Sequence, residues 1–95
     1  MAALTWCGPI AIKTLTGRRV RDAEMRTVDV ILKLEAVLGV TGRLVPGMRG
    51  KTLGELPQLA RAVVFYAGHV FPMLNGQVSN LNGYGAEPVN FVMEF

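Results

Sequence analysis

An α+β fold, a small and mainly antiparallel sheet packed with one or two helices, is what the sequence predicts, and three observations lead there. Leu56–Phe71 carries apolar residues at helical spacing, Val89–Phe95 alternates with the period of a strand, and Asn-Gly pairs at 75–76 and 82–83 mark tight hairpin turns. At 95 residues the chain reads as a single domain, 1–95.

Taken in order, Leu4–Cys7 and Ile10–Leu15 read as short strands broken by Gly8-Pro9, with a turn at Thr16-Gly17-Arg18 and a weak, charge-rich return over Arg18–Met25. Thr27–Val40 admits two readings. As a strand it alternates Val28, Val30, Leu32 and Leu34 against Asp29, Ile31, Lys33 and Glu35. As a helix over Thr27–Leu38 it has Thr27 as N-cap, Asp29 in the first turn paired with Lys33, and Gly39 just past the end. Length and caps favour the helix. Five glycines and prolines in Thr41–Gly54 mark a loop, with a brief strand at Leu44-Val45.

Leu56–Phe71 reads as the strongest helix. Thr52 and Glu55 have capping-box spacing, Pro57 suits a first helical turn, and Leu56, Leu59, Val63, Tyr66 and Val70 form one stripe that Pro72 ends. Its other face shows Val64, Phe65 and Phe71 past Arg61 and is largely apolar as well, and Val64, Phe65, Val70 and Phe71 are the candidate self-association residues. In the last strand Val89, Phe91, Met93 and Phe95 face one way and Asn90, Val92 and Glu94 the other, which ties the end of the chain into the fold.

Composition bears on function. Hydrophobic residues make up 51% and charged residues 18% of the chain, against about 25% charged in an ordinary soluble protein. That is more apolar surface than one small core easily hides, and the surplus points to an interface with itself or another protein. All ten Lys and Arg lie in residues 1–61 with five acids, whereas residues 62–95 hold only Glu87 and Glu94. Lys13, Arg18, Arg19, Arg21 and Arg26 surround the expected first hairpin, and Arg43, Arg49 and Lys51 crowd the glycine loop. Arg18, Arg19, Arg21, Arg43, Arg49 and Lys51 are therefore the candidate contacts for an anionic partner, nucleic acid or an anionic membrane surface.

Several chemistries find no support. Gly50-Lys51-Thr52 resembles the end of a phosphate-binding loop, but the first glycine of that pattern falls on Val45. Cys7 and His69 are the only strong zinc ligands, too few for a metal site. They are also the only formal nucleophile and base, and nothing local links them. No catalytic residue, metal, cofactor or small-molecule substrate is inferred. A single cysteine forms no intramolecular disulfide. No positive residue precedes the apolar start, so no signal peptide is read, and the longest apolar run, Ala62–Leu74, is too short to span a bilayer. An intracellular location is expected.

Ile12-Lys13-Thr14-Leu15-Thr16-Gly17-Arg18 resembles the first hairpin of the ubiquitin family, whose members carry a KTLTGK-type turn. Thr27-Val28, Gly39-Val40, Arg43-Leu44-Val45 and Gly50-Lys51-x-Leu53 follow in family order, so the resemblance spans residues 10–53 and implies a β-grasp-like first half. The family's doubled-proline turn is missing, the last third does not match, and residues 94–95 are Glu-Phe where the family has diglycine. No conjugation function is carried over.

The expected function is a non-enzymatic structural or interaction module. It would assemble through apolar surface and turn a basic face to an anionic partner, a profile shared with coat and matrix proteins. The alternative is a small nucleic-acid-binding module using the basic hairpin and the glycine loop, with an affinity that falls steeply with salt.

Overall fold

The computed structural model describes residues 4–66, 68–79 and 88–95. Two helices precede a five-stranded antiparallel sheet: α1 (Cys7–Thr16), α2 (Thr27–Leu38), β1 (Arg43–Leu44), a 3-10 turn (Leu53–Glu55), β2 (Arg61–Tyr66), β3 (His69–Leu74), β4 (Gln77–Val78) and β5 (Phe91–Glu94). The sheet order is β1-β5-β2-β3-β4, so the C-terminal strand lies between β1 and β2. This is the expected α+β class. Among the described residues no helix is long and apolar enough to cross a membrane.

The first element is a correction. Cys7–Thr16, expected as strands and a hairpin arm, is helical. The Gly8-Pro9 break falls in the first helical turn, where proline's missing N–H costs nothing. Gly8, Ala11, Ile12 and Leu15 are buried at i, i+3, i+4 and i+7, the stripe of a helix lying on a sheet. The hydroxyls of Thr14 and Thr16 donate to the carbonyls of Ile10 and Ile12 at 2.9 and 2.7 Å, so these β-branched residues fit the helix with their hydroxyls bonded. Gly17 caps the end by donating its N–H to the Lys13 carbonyl. The residues that resemble a ubiquitin-type turn thus form a helix and its cap, and the expected hairpin is not formed.

Arg18–Met25 forms no strand. It runs back along α1, and Asp22 binds the chain ahead of that helix. The Thr5 and Trp6 N–H groups and the Thr5 hydroxyl all donate to its carboxylate, at 2.9–3.1 Å. These bonds, led by that from the Trp6 N–H, hold the Asp22 carboxyl below the usual range, and Arg19 adds to the effect. A carboxyl depressed in the folded state stabilises fully above the ordinary aspartate value of about 3.9, and this contribution fades as pH falls through its lower folded value. Asp22→Asn is therefore expected to lower the melting temperature at pH 7 and to narrow the gap to wild type below pH 3, as thermal melts at both pH values will register.

The second element is the helix favoured by its caps. Gly39 accepts the left-handed conformation (φ +69°) and donates to the Glu35 carbonyl. The N-cap is Arg26, one residue before the expected Thr27. Its N–H and guanidinium both bond the Asp29 carboxylate, so Asp29 takes Arg26 where Lys33 was expected.

The largest correction concerns Leu56–Phe71. This stretch is no helix but the approach to β2, all of β2, a turn at Gly68 and the first part of β3. The Thr52–Glu55 capping box is real, but it closes only the 3-10 turn. Val63, Phe65 and Val70 pack against α1 and α2, while Ala62, Val64, Tyr66, Phe71 and Met73 face Val45, Met48, Leu53, Leu56 and Leu59 of the long loop. A central strand covered on both faces is apolar without a break, and short runs of that kind satisfy helical spacing by accident. The β-branched and aromatic residues of Val63–Tyr66, with Gly68 and Pro72 beyond, are what distinguish the strand. Pro72, expected to stop a helix, sits inside β3 opposite Val63. Its carbonyl accepts from Ser79 on the β4 side, so its missing N–H also faces that side and leaves the β2–β3 ladder whole.

Asn75-Gly76 makes the expected two-residue turn, between β3 and β4, with φ of +53° and +80°. The Gly76 N–H donates to the Leu59 carbonyl, and a Cβ here would stand 2.9 Å from Gln58 Cβ. Gly76→Ala is expected to cost about 1–2 kcal/mol from the left-handed backbone alone. The Gln58 clash adds to this, and a melting temperature lowered by about 4–8 °C per kcal/mol is the readout. The Asn82-Gly83 turn lies outside the described residues. In β5 the alternation holds from Asn90 onward. Val89 packs instead with Val92, because it pairs with Gly50 and Lys51 of the loop. Phe95 is held by its N–H to the Arg61 carbonyl and by Arg61 Nε to its own carbonyl.

Candidate interaction surface

The four residues expected to form a self-association face are interior. Val64, Phe65, Val70 and Phe71 are between 0% and 5% exposed, because each strand of the β2–β3 hairpin is sandwiched between the helices and the loop. Exposed apolar surface lies elsewhere. Val28 and Leu32 of α2 are 48% and 56% exposed, and Ala36, exposed too, continues them at i, i+4 and i+8 along one ridge. A shallow depression of about 310 Å³ lined by Met25, Asp29, Leu32, Lys33 and Ala36 runs beside it. Past the helix end Val40 and, on β1, Leu44 are exposed as well. Single exposed aliphatics are ordinary; three in register on one helix are not what a solvated face needs. The sequence held this signal, since apolar residues run nearly all round the wheel of Thr27–Leu38 while the helix buries only Val30 and Leu34 fully.

The six candidate cationic residues do not form one surface. Arg18, Arg19 and Arg21 lie together in the connection that runs along α1, joined by Lys13. Lys13 and Arg19 line one shallow groove with Leu4, Ile10 and Thr14. Arg43 sits on the edge strand β1 and binds Glu94 of β5 at 3.0 Å, an exposed pair worth at most about 1 kcal/mol. Arg49 and Lys51 belong to the loop on the opposite face of the sheet from the helices.

Three backbone donors of the glycine loop are committed within the chain: Gly50 N–H to the Val89 carbonyl, Lys51 N–H to the Met48 carbonyl, and Thr52 N–H to the Glu55 carboxylate. The Thr52 hydroxyl bonds the same carboxylate, and these bonds, the Thr52 N–H first, hold Glu55 below its usual range, with Lys51 adding a charge contribution. A phosphate-binding loop needs those N–H groups turned outward.

Among the described residues no three His, Cys, Asp or Glu side chains are grouped to hold a metal ion. No family model, curated protein or solved structure matches the chain.

Proposed function

We propose that the chain is a non-enzymatic interaction module that assembles through the outer face of α2 and turns the basic flank of α1 toward an anionic partner. The observation that carries this reading is the Val28-Leu32-Ala36 ridge, apolar, in register and open to solvent in a chain with few charges to spare. The neighbouring depression gives such a ridge something to fit on a second copy, and Asp29 and Lys33 at its rim offer opposite charges across a two-fold contact. The helices pack side by side on one face of the sheet. Lys13, Arg18, Arg19 and Arg21 therefore belong to the same helical layer as the ridge, the combination of apolar contact and basic charge found in coat- and matrix-type subunits.

Light scattering after size-exclusion chromatography, at low and high salt, tests the reading. The expected result is a mass above that of one chain that persists at high salt, because apolar contacts are not screened. A strict monomer in both conditions overturns it. A second reading, a nucleic-acid-binding module, is favoured by the cations gathered along α1. It predicts binding of an oligonucleotide that falls steeply as salt rises and weakens when Arg18, Arg19 and Arg21 are replaced by Ala together. The Gly50, Lys51 and Thr52 N–H groups of the glycine loop are bonded within the chain and contribute nothing to that reading.

A further inference from the structure

The buried stripe of α1 is Gly8, Ala11, Ile12 and Leu15. At 3.6 residues per turn, the N-cap Trp6, Ile10 and Lys13, spaced i, i+4 and i+7, fall on the opposite side. Trp6 is 45% exposed and Ile10 is half-buried. After the cap at Gly17 the chain runs back with Arg18, Arg19 and Arg21 exposed. Where helix and return meet, Leu4, Ile10, Lys13, Thr14 and Arg19 line an open groove of about 340 Å³.

We propose that this face of α1 docks on a lipid bilayer that carries anionic headgroups. Leu4, Trp6 and Ile10 enter the headgroup layer, and Lys13, Arg18, Arg19 and Arg21 meet the lipid phosphates. The inference rests on the reading that the α1 flank faces an anionic partner, and it names that partner. Charge complementarity is its first ground. Residues 4–23 hold four cations against one acid, Asp22. The Asp22 carboxylate acts on Arg19, but its hydrogen bonds go to the Thr5 and Trp6 N–H groups and the Thr5 hydroxyl. Lys13 Nζ donates to the Gly17 carbonyl at 3.1 Å, which offsets the negative end of α1 where an anion approaches.

The second ground is the mixture of side chains. A bilayer interface accepts aliphatic groups and cations side by side, and the amphipathic ring of tryptophan settles at headgroup level. Lysine and arginine stems lie along apolar surface while their charged ends reach phosphate. A single-stranded nucleic acid needs several aromatic faces for its bases, and Trp6 is the one aromatic residue before Phe65. A duplex offers phosphates to the cations but nothing for Leu4 and Ile10 to enter. Binding of this kind lies on the bilayer and does not cross it.

The test uses the full chain with two kinds of vesicle, phosphatidylcholine alone and phosphatidylcholine with about 30 mol% phosphatidylserine. Trp6 is the only tryptophan, so its fluorescence reports from the proposed contact itself. The chain is expected to sediment with the anionic vesicles, with Trp6 emission shifted to the blue and quenched by lipids brominated near the headgroup. Neutral vesicles are expected to produce none of these. Replacing Arg18, Arg19 and Arg21 by Ala together should weaken binding on the order of 100-fold, at about fivefold per cation. Ile10→Ser should weaken it roughly tenfold and leave its salt dependence unchanged. Melting curves identify whichever variant keeps its fold, and the Trp6 signal of the unaltered chain tests the contact without any variant. Equal binding to both vesicles, or binding with Trp6 emission unmoved, would overturn the proposal. Binding to an oligonucleotide but to neither vesicle would overturn it and leave the anionic-partner reading standing, whereas binding to none of the three would remove both.

Discussion

Phe65→Ala should remove a large share of the stability of this protein. Phe65 is 4% exposed, lies near the end of β2, the central strand of the sheet, and stacks on Phe91 of the neighbouring strand with ring centroids 4.5 Å apart. On its other side stand the core residues of α1 and α2. Truncating a buried phenylalanine costs about 3–5 kcal/mol. A chain of this length has roughly 5–14 kcal/mol in all. Chemical denaturation should show the midpoint falling by about a fifth or more with the slope unchanged. The same substitution separates two architectures. Were Leu56–Phe71 a helix with Phe65 on its outer side, the change would spare stability and disturb only association. A stability loss under about 1 kcal/mol would count against the hairpin. Leu32→Ala, at a site more than half exposed, serves as the comparison and should lie within about 0.5 kcal/mol of wild type.

Leu32→Glu is the complementary experiment, expected to leave the fold intact and abolish assembly. Glutamate is as good a helix former as leucine, and the position lies on the outer face of α2, away from Val30 and Leu34, which the helix buries. In an apolar contact between copies, an unpaired carboxylate at the centre of the ridge costs about 2–5 kcal/mol. A penalty of that size weakens association by roughly 30- to 3000-fold, at tenfold per 1.4 kcal/mol. Light scattering and the melting curve together read both halves of this expectation. An assembly that survives Leu32→Glu unweakened would mean that the ridge is not the contact. Exposed Leu44 on the edge strand β1 would then be the next surface to test.

Which parts of this were legible in the sequence depends on how far each signal reaches along the chain. The end of α2 at Gly39, the Thr52–Glu55 box and the Asn75-Gly76 turn are written in residues at most three or four apart, and all three form, although the box closes a 3-10 turn and not the helix it was expected to open. Their energetics are local: a left-handed glycine or a side chain closing on a nearby N–H needs no tertiary partner. β5 was legible for a related reason, since its period of two comes without the helix caps that competed with the same pattern in Thr27–Val40.

The misreadings share another origin. In Cys7–Thr16, a proline and glycine that usually end elements occupy a helix's first turn, and the buried stripe at Gly8, Ala11, Ile12 and Leu15 is short enough to pass for a broken strand. In Leu56–Phe71, apolar residues line both faces because both faces are covered, one by the helices and one by the loop 45–59. Periodicity records which sides of an element are buried; once every side is, it no longer names the element.

The sequence by itself determined the class of this protein, its local caps and turns, its confined positive charge and its excess of apolar side chains. Tertiary structure alone decided where that excess lies. It drew Val64, Phe65, Val70 and Phe71 inside, left Val28 and Leu32 outside, split the cations between two faces of the sheet, and brought Leu4 and Ile10 into one groove with Lys13 and Arg19. The physical reason is that hydrophobic burial is non-directional. Composition sets how much apolar surface must be covered, but only the closing of the sheet, with β5 between β1 and β2, decides which surface that is.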